Sequence, residues 1–156
     1  MSVDPDVVRA AHRQFPTGVT VVTAMTDDGP CGLTVNAFSS VSMAPPTVLV
    51  CVSRTSRSID ALLRAKVIGI NLLSAGQEAL ARTFASSTDD RFSGVAWSAG
   101  EAGAPLLDGT SAHFEVEPET IALASTHVVF VGRVVSCASA SELPPLLYVA
   151  GGFREL

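Results

Sequence analysis

Four short segments gather hydroxyls, amides, arginines or a lone imidazole at spacings that can do chemistry. Leu33-Thr34-Val35-Asn36-Ala37-Phe38-Ser39-Ser40-Val41-Ser42 ends an apolar run in small polar residues around one aromatic. Amides and hydroxyls so spaced can hydrogen-bond the pyrimidine edge of a planar heterocycle; the same residue types also make ordinary turns. Ser53-Arg54-Thr55-Ser56-Arg57-Ser58 follows an apolar run and precedes a helical pattern. Four hydroxyls and two arginines at a helix start suit an anion such as phosphate. They also suit a capping segment with solvated arginines. His127 opens a very apolar run, where a histidine is either a ligand-side group or a satisfied structural one. Leu72-Leu73-Ser74-Ala75-Gly76-Gln77 reads as a strand-to-helix turn that offers Ser74 and Gln77 to a ligand or to a helix end.

Other chemistries find little support. The chain has no GxGxxG after a strand, no GxxxxGK[ST], no HExxH and no GxSxG. Its histidines are His12, His113 and His127 alone, and its cysteines Cys31, Cys51 and Cys137 lack metal-ligand spacing, so no metal site is expected. Cys51 and Cys137 sit in apolar runs and read as small core residues. An odd set of scattered cysteines suits a reducing cytoplasm. Net charge is −5 and the cations are dispersed, which argues against nucleic acid. No apolar run reaches the ~20 residues of a membrane helix, and the first residues lack the apolar core of a signal peptide. Charged residues make up 16% and apolar residues 47%. A free-standing domain usually carries about 25% charge, so the balance points to extra buried surface, such as a subunit interface.

The elements that must position these residues follow from periodicity. Residues 4–14 read as a helix opened by Asp4-Pro5. Residues 18–26 and 31–35 read as a hairpin around Asp27-Asp28-Gly29-Pro30. Residues 41–43, 47–53 and 67–73 read as further strands, and 58–65 and 77–84 as helices. Residues 86–103 read as irregular apart from Val95-Ala96-Trp97. Residues 112–116, 121–124, 127–135 and 146–149 complete a β-rich final third, with His113 and Glu115 opposite Ala112, Phe114 and Val116. Regular βαβ alternation fails after Phe84. The expected architecture is therefore one mainly β domain over residues 1–156, a closed or nearly closed barrel. Several strands are apolar on both faces, and a homodimer is expected to cover the outer one.

The order of motifs resembles the flavin reductase-like family, the small reductase components of two-component flavin monooxygenases. It runs Phe15-Pro16-Thr17-Gly18-Val19, TVNAFSSVSMAPP, VLVCVSRTSRS, INLLSAGQEALARTFA, DRF, PLLDG, HVVFVGRV and PPLLYVAGGF, over nearly the whole chain. The resemblance implies a split β-barrel homodimer that binds FMN or FAD and oxidises NADH or NADPH. It also implies transfer of reduced flavin to a partner oxygenase. It implies that Thr34, Val35, Asn36, Ala37, Phe38, Ser39 and Ser40 line the flavin ring. Cys51 and Val52 lead into Ser53, Arg54, Ser56, Arg57 and Ser58 at the ribityl and phosphate end. Leu73, Ser74, Gln77, Arg82, Phe84 and Ala85 would lie near the flavin tail. His127 would sit by the nicotinamide, and Tyr148 and Phe153 would border the cofactor. The family usually reads Gly-Asp-His before the strand, whereas this chain reads Ser125-Thr126-His127. No extension beyond Phe153 is expected to cover the site. Two other functions fit the same residues: a flavin-binding accessory or carrier protein with little NAD(P)H activity, and a flavin enzyme acting directly on an organic substrate.

Overall fold

The computed structural model describes residues 2–156. Helix α1 (Pro5–His12) starts where Asp4 Oδ1 accepts from the Asp6 amide at 2.9 Å and Pro5 takes the first turn. Strands β1 (Thr17–Gly18), β2 (Thr20–Thr26), β3 (Gly29–Val35), β4 (Phe38–Met43) and β5 (Pro46–Ser53) follow. Then come α2 (Ile59–Arg64), β6 (Ile68–Leu72), α3 (Glu78–Ala85), β7 (Trp97–Ala99) and β8 (Pro105–Leu107). The chain finishes with β9 (Ala112–Ala124), β10 (His127–Ser139), β11 (Leu147–Val149) and β12 (Gly152–Arg154).

Seven strands form one antiparallel sheet in the order β3-β2-β6-β9-β10-β5-β4. Its end strands, β3 and β4, share no ladder, so the sheet is not closed by hydrogen bonds as a full barrel would be. It curls instead. Val22, Val35, Val50, Ile70, Val116 and Phe130 come from six different strands and meet in one core, with Leu62 of α2. A second core lies on the other side of β2, where Val19 and Val21 pack on Leu73, Ala81, Phe84, Leu107 and Leu146. The alternation along β2 thus serves two cores, which is why that strand reads as apolar throughout.

Short connections fix the register. Ala150 and Gly151 form the two-residue turn between β11 and β12, with φ of 53° and 77°. Positive φ at both positions is the hairpin pattern that matches strand twist. Ser125 has φ 55° in the two-residue turn between β9 and β10. This left-handed conformation is one that glycine adopts without strain, which accounts for the glycine usual in the resembling motif.

Several expectations change in three dimensions. Residues 112–116 and 121–124 belong to one strand, β9. Pro118 does not end it, because β6 pairs only as far as Val116 and a register shift opens opposite Pro118. Phe38, Ser39 and Ser40 are not loop but part of β4, paired with Val50, Leu49 and Val48. β8 and β12 are three-residue strands too short to carry a period. Cys137 is exposed near the end of β10 rather than a core residue. Glu115 is fully buried, since the β7–β8 loop caps it: its carboxylate accepts from the amides of Ala102 and Ala104 at 3.0 Å.

The β7–β8 hairpin is held to the main sheet by Asn71, which is fully buried on β6. Its Nδ2 donates to Val21 O at 3.1 Å, and its Oδ1 accepts from the Leu107 amide at 2.8 Å. Thr23 Oγ1 adds a bond to Pro105 O at 2.6 Å. Asn71→Ala leaves the Leu107 N–H unsatisfied in a dry interior and opens a void. The expected loss is about 2–4 kcal/mol of unfolding free energy. Urea denaturation followed by Trp97 fluorescence checks it; a loss below about 1 kcal/mol contradicts the pinning role.

Candidate functional site

Three cavities follow one another along β3 and the turn after it. The first, of about 200 Å³, lies between Cys31 and Gly32 of β3, Arg57 and Ser58 before α2, and residues 88–92. Gly32 is required here, since a Cβ would stand 2.8 Å from Val22 O. The Arg91 guanidinium bridges the loop to the sheet, donating to Gly32 O at 2.8 Å and to Ser86 O at 2.6 Å. Burial pulls the Arg91 pKa down, and the neighbouring Arg57 charge adds to the effect. Arg57 donates to the Asp89 carboxylate and to the carbonyls of Ser87 and Thr88. Both side chains of that ion pair are largely exposed, so it contributes only about 0–1 kcal/mol.

The middle cavity, of about 410 Å³, has Thr34 and Asn36 on one side and Ala81, Arg82 and Ala85 of α3 on another. Tyr148, Gly151 and Phe153 close it. Tyr148 and Phe153 meet edge to face with centroids 5.3 Å apart, and the Arg82 guanidinium stands 5.0 Å over the Phe153 ring. Arg82 also donates to Glu78 Oε1 at 2.6 Å, one helical turn away. Thr34 Oγ1 donates to Ala81 O at 2.6 Å and fixes α3 against β3.

The third cavity is the largest, about 850 Å³. Asn36, Ala37 and Phe38 line one side, Tyr148, Val149 and Ala150 a second, and Arg9, His12 and Arg13 with residues 15–18 the third. Thr17 Oγ1 behind its wall is buried and has no hydrogen-bond partner among the described residues. Leaving such a group unpaired costs about 1–3 kcal/mol. Asn36 and Tyr148 line both the middle and the third cavity, so the two adjoin. An apolar slot with aromatic walls and cations at both ends fits a planar heterocycle carrying a phosphorylated tail.

The residues picked out in the sequence are distributed unevenly. Thr34, Asn36, Ala37, Phe38, Arg57, Ser58, Arg82, Ala85, Tyr148 and Phe153 line the cavities. Val35, Val52, Leu73 and Phe84 are buried core side chains, so only their backbone can meet a ligand. Ser39 and Ser40 are exposed on β4, and Cys51 is half-buried on β5. The 53–58 segment splits. Ser53 Oγ closes its own turn with Thr55, and Ser56 Oγ accepts from the Ser58 amide at 3.2 Å. The Arg54 amide and guanidinium donate to the Thr126 and Ser125 carbonyls. Ser74 and Gln77 spend their polar groups inside the fold: Ser74 Oγ donates to Gly109 O at 2.6 Å and Gln77 Nε2 to Asp108 O at 2.9 Å. His127 is exposed, pairs across the ladder with Ser53, and lines none of these three cavities. Its Nδ1 lies 2.9 Å from Thr126 Oγ1.

Arg13, Thr17, Arg91, Ala150 and Gly151 were not among the residues picked out. Thr17, Arg91, Ala150 and Gly151 lie within the quoted motifs Phe15-Pro16-Thr17-Gly18-Val19, DRF and PPLLYVAGGF, which was the available signal.

The first cavity makes a prediction about thiols. Burial pushes the Cys31 thiol pKa up, against weaker lowering by Ser58, the Ala24 backbone and the Arg91 charge. A raised pKa means less thiolate at neutral pH. Iodoacetamide should therefore label exposed Cys137 before Cys31, and Cys31 labelling should accelerate only at a pH above the ordinary thiol range. Mass spectrometry of timed digests reads this order, and equal rates at neutral pH would contradict it.

Comparison with known proteins identifies the family. A family model described as a flavin reductase like domain matches residues 12–156. The reductase subunit of a stachydrine N-demethylase from Rhizobium meliloti (strain 1021) is 40% identical, over 96% of this chain and 65% of its own length. The reductase subunit of a flavin-dependent monooxygenase from Rhodococcus jostii (strain RHA1) is 35% identical, over 99% of this chain and 80% of its own. An NADH:FAD oxidoreductase from Streptomyces globisporus C-1027, solved in complex with NAD and FAD fragments, is 37% identical with a TM-score of 0.92, covering 100% of this chain and 96% of that one. Some relatives are much longer, and the chain spans only 48% of another Rhizobium meliloti protein that it matches at 41% identity. With the curled antiparallel sheet and the groove along β3, these matches make the chain a member of the flavin reductase-like domain family.

Proposed function

We propose that this chain, acting as one domain, uses NADH or NADPH to reduce FMN or FAD and supplies the reduced flavin to a partner oxygenase. The observation that carries the proposal is the row of cavities along β3 and the turn after it, with aromatic walls at Phe38, Tyr148 and Phe153 and cationic groups at both ends. The names of the relatives support it. When bound, flavin supplies the redox chemistry, accepting a hydride from the dihydronicotinamide and a proton from solvent. The chain's own task is to bind, orient and exclude water, which explains a groove with so few titratable groups. Asn36 would address the polar edge of the ring. Arg57, freed from its exposed pair with Asp89, would meet a phosphate with Ser58 beside it.

The working form is proposed to be a split-barrel homodimer in the cytoplasm. Helix α1 buries none of its residues, and Phe15 and Met43 are 73% and 80% exposed. On the outer face of β5 and β10, Leu49, Cys51, Val129 and Val131 are only half-buried. A second copy on this face would complete the surroundings of His127, which keeps its assignment to the nicotinamide side. Sedimentation should give a dimer at micromolar concentration; a monomer there would contradict this arrangement.

A carrier with little NAD(P)H activity is the second reading. It is favoured by the Ser125-Thr126 replacement and by the absence of His127 from the walls of the three cavities. Steady-state NADH oxidation with added FMN separates the two, because a carrier gives no turnover.

The phosphate assignment has its own test. Arg57→Glu should weaken FMN binding about 10- to 150-fold, the value of one charge-assisted hydrogen bond of roughly 1.5–3 kcal/mol. Riboflavin has the same ring and no phosphate, so its binding should change little. Equal losses for the two ligands would mean that Arg57 only straps the 87–89 loop.

A further inference from the structure

Ser74 and Gln77 line none of the three cavities along β3. Their side chains reach a single turn instead. Ser74 Oγ donates to Gly109 O at 2.6 Å and Gln77 Nε2 to Asp108 O at 2.9 Å, so two consecutive carbonyls between β8 and β9 are engaged. Gln77 Oε1 accepts from the Ser74 amide at 3.0 Å, which joins the two residues into one clamp. Gly109 suits that clamp: its φ is 73°, and a Cβ there would stand 3.3 Å from Gln77 Nε2. Gln77 is also the residue from which α3 starts, yet its side chain caps no amide of that helix.

The clamp holds one wall of the middle cavity. α3 has eight residues, too few for a helix to be stable by itself. Thr34 fixes its middle through Ala81 O. Its start is left to Ser74 and Gln77, with the Gly76 amide donating to Glu155 Oε1 at 3.1 Å. Ala81, Arg82 and Ala85 of α3 line the cavity. Ala85 lies about 12 Å along the axis from Gln77, so a small tilt at the start grows into a displacement at the wall. Groups that bind a ligand must be held within about 0.5 Å. Only a side-chain amide completes the clamp, since one end must accept from an N–H and the other must donate to a carbonyl. A carboxylate of the same shape would set an acceptor against Asp108 O.

We infer that Gln77, with Ser74, is a positioning residue for flavin: it sets the tilt of α3, and so the place of Arg82 and Ala85, without touching the ligand. The inference rests on the proposal that flavin lies in these cavities. The phosphate is assigned there to Arg57 and Ser58 in the first cavity, away from α3. A displaced α3 therefore disturbs the ring and ribityl parts, which FMN and riboflavin share, and leaves the phosphate contact alone.

The test is Gln77→Glu in the full-length protein, titrated with FMN and with riboflavin by quenching of flavin fluorescence, well below Tm. Both ligands should bind about tenfold more weakly, the effect of one lost buried hydrogen bond. The ratio of the two affinities should stay at its unmutated value. Ser74→Ala should act in the same direction on both ligands, by about threefold, and it carries the test if Gln77→Glu does not fold. Folded variants with a lowered Tm that bind both flavins as before overturn the inference, because the clamp would then serve stability alone. A loss confined to FMN also overturns it, since Gln77 would then be acting at the phosphate. An unmutated protein that binds neither flavin sinks the flavin proposal and this inference together.

Discussion

Everything at the groove depends on β2 being dry on both sides. Val21, Val22 and Ala24 are all fully buried, and they point alternately into two different cores. A strand in that position cannot be an edge, so β3 must cover one flank and β6 the other. β3 then becomes the terminal strand of the sheet. A terminal strand presents backbone groups that need cover. Here α3, the 86–92 loop and the β11–β12 hairpin supply it only in part. What they leave uncovered is the groove.

The cover is held by polar contacts rather than by area. Thr34 fastens α3, Arg91 fastens the loop after it, and the Ala150 amide fastens the hairpin to the end of α1. Each of these bonds involves a backbone carbonyl, so each fixes position without consuming a charge. Among the described residues, Arg13 and Arg91 therefore line the groove without a carboxylate of their own, and Arg57 has only an exposed one. That distribution suits ligands that arrive with negative tails and planar rings. It offers little to hydrolysis or metal chemistry, and the described residues contain no cluster suited to a metal ion.

The β character and most strand positions were legible because Val-rich runs with period 2 appear wherever a strand meets a core. Order of motifs was legible too, and it named the family that the match over residues 12–156 bears out. Other features were not legible, for physical reasons. Residues 112–116 and 121–124 read as two strands, since a sequence cannot say that β6 stops at Val116 and leaves the part of β9 around Pro118 free of a second partner. Alternation put Glu115 opposite Ala112, Phe114 and Val116, but it gives the face of a strand and not what lands on it. Ser74 and Gln77 looked available, whereas the 108–109 turn, far away in sequence, uses them both. The third wall of the largest cavity was invisible for the same reason. Arg13 and Thr17 gain meaning only when the β11–β12 hairpin, over 130 residues later, closes on α1.

The central claim is that flavin occupies the groove along β3. Hydrogen–deuterium exchange with and without FMN tests it most directly, because backbone amides on three separate segments should respond together. The account predicts slowed exchange at residues 31–38, 81–88 and 147–153, with no change around the separate cavity bounded by Ser98, His113 and Leu143. Protection confined to that distant cavity, or absent from residues 31–38, would contradict the account.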